Sequence, residues 1–144
     1  MFERNLASSR RLLDEAWGGG NLEVIDELCA EGFVDHDPVM GDADREAIKE
    51  RIAMYRSAFP DLTFEVDDAF VAGDKVVMRW HGVGTFENAF MGLEPTHDQG
   101  EPVTGISIDR YEDDRLVESW GEWNALRFMQ NIGAVPEGAA TAAG

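Results

Sequence analysis

Two alternating strands and a short turn make up residues 103–124, which read VTGISIDRYEDDRLVESWGEWN. Strand side chains point alternately to the two faces of a sheet, and here both faces receive large apolar groups. A sheet that is apolar on both faces must be covered on both, by helices of the same chain or by another subunit. The stretch therefore predicts a hairpin, with its turn at 112–114, that forms the centre of a layered fold.

Composition limits the kinds of partner that the protein can bind. The chain has 144 residues, of which 44% are hydrophobic, and these values fit one globular domain with a single core. The formal charge of −17 argues against nucleic acid and anionic membranes, because both bind positively charged surfaces. No apolar run approaches the roughly 18 residues of a membrane-spanning helix. The charged N-terminus is unlike a signal peptide, so we expect a cytoplasmic protein.

Apolar residues recur at helical spacing in the first part of the chain, and they alternate as in strands in the second part. Helices are predicted at 2–17, from Asn21 to Gly32, from Asp42 or Asp44 to about Phe59, and at 125–131; strands are predicted at 62–72 and 75–86, besides a short extended piece at 33–37 and the hairpin. Cys29 falls in the second helix, where we expect it to be buried. This order predicts one α+β domain over 1–133, with helices on one face of a strongly curved, mixed or antiparallel sheet, and a disordered tail at 134–144.

Seven segments in this order resemble one known family. They read GGNLEVIDEL (19–28), FVDHDP (33–38), AFPDL (58–62), GDKVVMRW (73–80), GTF (84–86), VTGISI (103–108) and RLVESWGEWNAL (115–126). Together they resemble the SnoaL-like polyketide cyclases of the nuclear transport factor 2-like superfamily, over residues 1 to about 133. The resemblance implies a cone-shaped α+β barrel whose helices and concave sheet face enclose an apolar pocket. It also implies an enzyme that uses no metal and no organic cofactor.

The resemblance orients the strands of the hairpin, and parity extends this orientation to the strand before it. The side chains expected inside the cone are Ser107, Asp109, Ser119, Gly121 and Trp123 from the hairpin, and Val77, Arg79, His81 and Val83 from the earlier strand. The convex outer face then carries Val76, Met78, Trp80, Ile106, Ile108 and Trp120. Because such an apolar patch is costly in a monomer, we predict a homodimer that packs through the convex sheet face.

The resemblance also implies where the chemistry occurs. Polyketide cyclases of this family use an acid/base carboxylate on the last strand and a histidine on the strand before it. The matching positions hold Gly121 and Ser107, so the usual arrangement is absent. Instead, Asp109 is expected in the apolar pocket, where burial raises the pKa of a carboxyl group unless a cation offsets it. Arg79 and His81 are the expected partners, in an acid/base pair or, for Arg79, in a structural ion pair.

The segment FVDHDP supplies the other candidates. By resemblance, Asp35 borders the pocket and is a candidate for proton transfer, whereas His36 is expected mainly to clamp the loop through backbone carbonyls. Three adjacent residues cannot converge on one ion, so no metal site is predicted there. The pocket wall is expected to be aromatic, which suits a flat polycyclic ligand. The substrate-binding candidates are Trp17, Phe33, His36, Tyr55, Phe59, Ser107, Ser119 and Trp123.

Two classes of function follow from these observations. The first is a cofactor-independent enzyme of antibiotic biosynthesis that acts on an aromatic polyketide, either by aldol-type cyclisation or by hydroxylation. The second is a protein that binds a small hydrophobic ligand without catalysis. An epoxide hydrolase or isomerase is a third possibility, but epoxide hydrolysis requires a second acid that the sequence does not supply convincingly.

Overall fold

In the computed structural model, which describes residues 2–137, five strands form one mixed sheet that is covered by helices on one face. The elements are α1 (Phe2–Arg11) with a π-helical continuation (Leu12–Trp17), α2 (Glu23–Leu28), β1 (Cys29–His36), α3 (Arg45–Ala58), β2 (Thr63–Ala72), β3 (Lys75–Val83), β4 (Val103–Glu112), β5 (Arg115–Trp123) and α4 (Ala125–Asn131). The strand order is β1-β5-β4-β3-β2, with β1 parallel to β5 and the other pairs antiparallel. The predicted α+β architecture is confirmed. Most of the predicted tail lies outside the described residues.

The β4–β5 hairpin stands at the centre of this sheet, as predicted. Asp113 and Asp114 form its turn with φ angles of 50° and 65°. Two successive residues in this left-handed region match the turn that joins twisted antiparallel strands, and aspartate tolerates the conformation better than most residues. The hairpin therefore has two outer edges that can pair with further strands. The β4 edge pairs with β3, and the β5 edge pairs with β1.

The segment around Cys29 differs from the prediction. Helix α2 ends at Leu28, and Cys29 begins β1 by pairing with Leu116 of β5. The predicted helix was too long because the residues from Cys29 onward form hydrogen bonds with the edge of β5. Local periodicity does not reveal such a pairing between distant segments. Cys29 is fully buried, as expected. The start of α3 follows the sequence signal, because the Asp44 carboxylate accepts a hydrogen bond from the Ala47 backbone N–H at 2.8 Å.

The orientation predicted for β3 was wrong. Met78 pairs with Ser107 and Trp80 pairs with Gly105, and residues that are paired across neighbouring strands share a face. Met78 and Trp80 therefore lie on the inner face, which lines the cavity, whereas Arg79 lies on the outer face. Alternation fixes only that residues two apart share a face; the register with β4 decides which face it is. Val76 also lies inside, Val77 and His81 lie outside, and Val83 lines the cavity as expected.

The outer face carries an apolar row, although its members differ from those predicted. Phe70, Val77, Ile108 and Trp120 are consecutive cross-strand partners from β2 to β5. Ile106 adds to this surface, and Phe70, Ile106 and Trp120 are 57%, 50% and 37% exposed. These five residues are called the outer apolar row below. None of the helices within residues 2–137 has the length and apolar character needed to cross a membrane.

Two glycines of the inner face lead to opposite predictions for the same substitution. A Cβ at Gly105 would clash with the Trp80 ring, whereas a Cβ at Gly121 would meet no atom within 4 Å. We expect Gly105→Ala to lower the free energy of unfolding by about 1–3 kcal/mol. Gly121→Ala should leave it unchanged or raise it by up to about 1 kcal/mol. Urea denaturation measures both, and equal effects would contradict the close packing of Trp80 on Gly105.

Candidate functional site

A cavity of about 220 Å³ lies between the inner face of the sheet and the helices. Its wall is strongly aromatic; the rings that line it are those of Trp17, Phe33, Tyr55, Phe59, Phe64, Trp80, Phe86, Trp123 and Phe128. Its volume exceeds the roughly 150 Å³ of a cavity that holds benzene and is below the roughly 300 Å³ at which drug-sized pockets begin. The cavity therefore suits a two-ring aromatic group, and a larger ligand would extend through the opening.

Most of the predicted site residues line this cavity. All eight substrate-binding candidates do so: Trp17, Phe33, His36, Tyr55, Phe59, Ser107, Ser119 and Trp123. Of the four catalytic candidates, Asp109 and Asp35 line the cavity, and Arg79 and His81 do not.

Asp109 is buried in a network of hydroxyl groups. It is 5% exposed, and its two carboxyl oxygens accept hydrogen bonds of 2.6 Å from the hydroxyls of Ser9 and Ser119. The Tyr111 hydroxyl lies 2.8 Å from the Ser9 hydroxyl. Burial raises the pKa of Asp109, and the two serine hydrogen bonds oppose that shift. Within residues 2–137 no cation pairs with Asp109, so this carboxyl group is predisposed to hold a proton.

The predicted partners of Asp109 lie on the opposite face of the sheet. The His81 Nδ1 atom is 2.8 Å from an Asp67 carboxylate oxygen, and its Nε2 atom is 3.4 Å from a Glu65 carboxylate oxygen. Arg79 lies 3.8 Å from Asp67. The expected pairing of Arg79 and His81 with Asp109 was therefore wrong, because β3 has the opposite orientation. The ligand atoms of Glu65, Asp67 and His81 lie within 4.8 Å of one another, which is close enough for a metal ion, but the cluster is outside the cavity.

Asp35 is a second carboxyl group on the inner face. Backbone hydrogen bonds between Asp35 and Ala43, of 2.8 and 2.9 Å, hold the strand at this point. The nearest cation is Arg51, 3.9 Å away, and the Asp35 carboxylate accepts no hydrogen bond from the described part of the chain. Its pKa is raised to about 6, first by burial and then by the charge of Asp37, while Arg51 opposes the shift. Asp35 can therefore exchange a proton near neutral pH.

His36 clamps the loop after β1, as expected, but it binds carboxylates instead of backbone carbonyls. Its Nε2 atom is 2.7 Å from Glu118 and its Nδ1 atom is 2.9 Å from Asp42. The ring also stacks on Trp120 at a centroid distance of 5.4 Å. The hydrogen bonds to Glu118 and Asp42 raise the pKa of His36. Both ring nitrogens are thus occupied, which favours a structural role.

Three functional side chains form a row across neighbouring strands. Asp35 of β1 is paired with Ser119 of β5, and Ser119 is paired with Asp109 of β4. Ser119 therefore lies between two acidic residues on the inner face, and its hydroxyl contacts the Asp109 carboxyl group. Sequence reasoning missed Ser9, the other partner of Asp109. The signal was a polar residue at helical spacing from Leu12, Leu13 and Ala16, on the apolar face that α1 shares with its π-helical continuation.

The positions that matched the family's usual acid/base pair also face the cavity. Ser107 and Gly121 are direct cross-strand partners, and both line the cavity wall. Because Gly121 has open space above it, the cavity has room for a side chain that this protein lacks. Asp109 and Ser119, the next residues of the same strands on this face, are paired with each other in the same way.

Comparisons with known proteins agree with this geometry. The family model of SnoaL-like polyketide cyclases matches residues 7–132. A structure from Jannaschia sp. CCS1, of a protein proposed to be a SnoaL-like polyketide cyclase, is 25% identical and has a TM-score of 0.83, over 94% of this chain and 95% of that chain. IdmH from Streptomyces antibioticus, proposed to be a polyketide cyclase, is 29% identical with a TM-score of 0.79, over 90% of this chain and 98% of that chain.

A third structure shows the likeness of the fold alone. AclR from Streptomyces galilaeus, proposed to be a hydroxylase, is 21% identical with a TM-score of 0.84, over 94% of this chain and 100% of that chain. Among curated proteins, no sequence matches this chain.

Proposed function

The chain belongs to the SnoaL-like polyketide cyclase family, in the nuclear transport factor 2-like superfamily, and from this premise we propose a cofactor-independent enzyme that acts on an aromatic polyketide. The observation that carries the proposal is the row Asp35–Ser119–Asp109 on the inner face of the sheet. It combines a carboxyl group that titrates near pH 6 with a buried carboxyl group that favours its protonated form. Pairs of carboxyl groups with different protonation states are the usual basis of acid/base catalysis.

Asp35 is the proposed general base. A carboxylate with a pKa of about 6 is largely ionised at neutral pH and still basic enough to remove a proton from a carbon next to a carbonyl group. The absence of a hydrogen-bond donor to the Asp35 carboxylate from the described residues supports this role, because the carboxylate oxygens can contact a substrate proton. The product of this step is an enolate.

Ser119, backed by Asp109, is the proposed donor to the enolate oxygen. When Asp109 is protonated, its proton can satisfy the Ser119 oxygen, which leaves the serine hydroxyl free to donate into the cavity. A hydrogen bond placed where negative charge develops is usually a major part of catalysis. Ser9 holds the second oxygen of Asp109 and keeps the carboxyl group in this orientation.

Two reactions can follow the enolate. Attack on a second carbonyl group of the same molecule is an aldol cyclisation, the reaction that the family name suggests. Hydroxylation is the second candidate: the enolate carbon would add to dioxygen, and a two-electron reductant from solution would cleave the resulting hydroperoxide to an alcohol and water. It is favoured by glycine at position 121, where the family resemblance implies the cyclase carboxylate. The fold likeness to AclR is compatible with both reactions. Ligand binding without catalysis is the alternative from another class.

The product of the reaction decides among these candidates. We would incubate the purified protein with a panel of anthraquinone-type polyketide esters and separate the products by liquid chromatography with mass spectrometry. An isomer of unchanged mass means cyclisation, and the gain of one oxygen atom means hydroxylation. Unchanged substrates across the panel, together with measurable binding, would reject the enzyme in favour of a binding protein.

We also propose that two copies of the chain associate through the outer apolar row. The row runs without interruption across four strands, so two copies can align their sheets back to back and bury it. Oppositely charged groups flank it, because Arg110 and Glu118 are paired at 3.1 Å beside Trp120.

The corresponding prediction is that Phe70→Lys combined with Trp120→Lys yields a monomer. Four lysines at a two-fold interface would be desolvated and would repel one another. Light scattering after size-exclusion chromatography should give the mass of a dimer for the unmodified chain and of a monomer for the variant. Met91→Lys, which changes an exposed side chain outside the sheet, is the control and should remain dimeric. A monomeric unmodified chain would reject the proposed dimer.

A further inference from the structure

The charged groups that line the cavity are almost all of one sign. Among residues 2–137, five acidic residues line it: Asp35, Asp37, Asp98, Glu101 and Asp109. Within residues 2–137, no lysine or arginine contributes to the lining. The one basic group, His36, already lies between two carboxylates outside the cavity. A cavity of this kind repels an anionic ligand and attracts a cationic one, and the net charge of −17 acts in the same direction.

Asp98 and Glu101 mark the opening of the cavity, because both residues line it and both are exposed. Neither carboxylate forms a hydrogen bond or an ion pair within the described residues. Other exposed acids of this protein are paired; Asp26, for example, binds Lys49 at 2.7 Å, and Glu27 binds Arg11 at 2.9 Å. The two carboxylates at the opening therefore retain their full charge for a ligand.

The loop that carries these two acids is held in place at several points. The Phe86 N–H donates to the Asp98 carbonyl at 3.2 Å, and the His97 N–H donates to the Phe86 carbonyl at 2.8 Å. Asn131 of α4 accepts from the Glu101 N–H at 3.2 Å and donates to the Glu101 carbonyl at 2.8 Å. These hydrogen bonds hold the backbone of both residues at the opening before a ligand arrives, which lowers the entropy cost of binding.

Aromatic rings line the space behind the opening. Phe128 contacts Trp123 and Tyr55 at centroid distances of 5.7 Å, and Tyr55 contacts Trp17 at 5.9 Å. Ring faces attract cations, and they also stack on a flat ligand. The cavity thus offers aromatic surface inside and negative charge at its rim.

From this arrangement we propose that the substrate is an aromatic molecule that carries a protonated amine, whose ammonium group lies at Asp98 and Glu101 while its rings enter the cavity. This inference rests on the proposed function, which supplies the aromatic rings of the substrate, and it adds that the substrate is positively charged. It leaves Asp35 free for proton transfer. It also excludes substrates that present a free carboxylate to the opening.

Three probes of one shape test the charge preference. Isothermal titration calorimetry at low salt would compare 2-naphthylmethylamine, 2-naphthylmethanol and 2-naphthoate, which are cationic, neutral and anionic at pH 7.5. We expect the amine to bind about tenfold or more tightly than the alcohol, and the carboxylate to bind most weakly. Equal affinities for amine and alcohol would overturn the inference and leave the proposed function intact. Failure of all three probes to bind would overturn both.

Two double variants locate the source of the preference. Asp98→Asn with Glu101→Gln should reduce the advantage of the amine over the alcohol to about threefold or less, with the affinity for the alcohol unchanged. The matched control is Asp68→Asn with Glu65→Gln, which removes the same charge from exposed residues of β2 that do not line the cavity. The control should keep the full preference. If the control loses as much as the rim variant, the preference comes from overall charge and the assignment to the rim is wrong.

Discussion

Asp35→Asn should lower kcat/KM on a substrate that the enzyme turns over by about 10²–10⁴-fold, which is the usual contribution of a general base. Asparagine keeps the size and polarity of the side chain, but it cannot accept the substrate proton. Because the Asp35 carboxylate accepts no hydrogen bond from the described chain, the substitution removes only the 3.9 Å contact with Arg51 and leaves the backbone bonds to Ala43 in place. We therefore expect the variant to fold and to bind its ligand.

The pH profile separates a chemical role of Asp35 from a structural one. A general base must be ionised, so kcat/KM of the unmodified enzyme should fall as the pH drops through about 6, the raised pKa of Asp35. The residual activity of Asp35→Asn should lack this acid limb. Asp68→Asn, an exposed substitution of the same kind, should keep both the rate and the limb. An unchanged acid limb in the Asp35 variant would assign the titration to another group and reject Asp35 as the base.

The second large effect is on the pH dependence of stability, and it comes from Asp109. Burial raises its folded-state pKa above the value of about 3.9 in an unfolded chain. The folded protein therefore holds a proton that the unfolded chain releases, and this group lowers stability as the pH rises from 4 toward the folded pKa. Asparagine cannot release a proton, and its amide can still accept from one serine and donate to the other.

The expected result is that Asp109→Asn gains stability relative to the unmodified protein as the pH rises, by at most about 1.4 kcal/mol per pH unit. Urea denaturation of both proteins between pH 4 and 8 measures the difference. Asp109→Ala removes both hydrogen-bond acceptors from Ser9 and Ser119, and it should lose about 2–4 kcal/mol at every pH. If the advantage of Asp109→Asn shrinks with rising pH, the carboxylate is the favoured form and Asp109 is not a proton donor. Turnover should fall in both variants.

Much of the fold could be predicted because its signals are local. The β4–β5 hairpin has strict alternation and an acidic turn, and α3 has an aspartate cap before its apolar stripe. The orientation of β3 could not be derived in this way. Its apolar residues alternate less clearly, with Val76, Val77 and Met78 in succession, so both faces accept apolar groups and only the pairing with β4 decides between them.

The candidate site was predictable to the extent that the hairpin was. Alternation put Asp109 on one face of β4 and Ser119 on one face of β5, and the family resemblance predicted correctly that these faces point inward. The partner of Asp109 was not predictable from strand parity, because Ser9 reaches it from a helix one hundred residues earlier in the chain. The row Asp35–Ser119–Asp109 was also not predictable, because it depends on the parallel pairing of β1 with β5 at the edge of the hairpin.

The open space above Gly121 has a consequence for how this protein can change over generations. Every glycine codon that ends in a pyrimidine becomes an aspartate codon by one nucleotide substitution. At position 121 the Cβ atom of the new side chain would meet no atom within 4 Å. A single point mutation of such a codon would thus add a carboxyl group beside Ser107, at the position where the family resemblance implies the cyclase carboxylate. One nucleotide substitution in the codon of Gly121 can therefore change the set of acid/base groups in the cavity. This makes position 121 a suitable starting point for directed evolution.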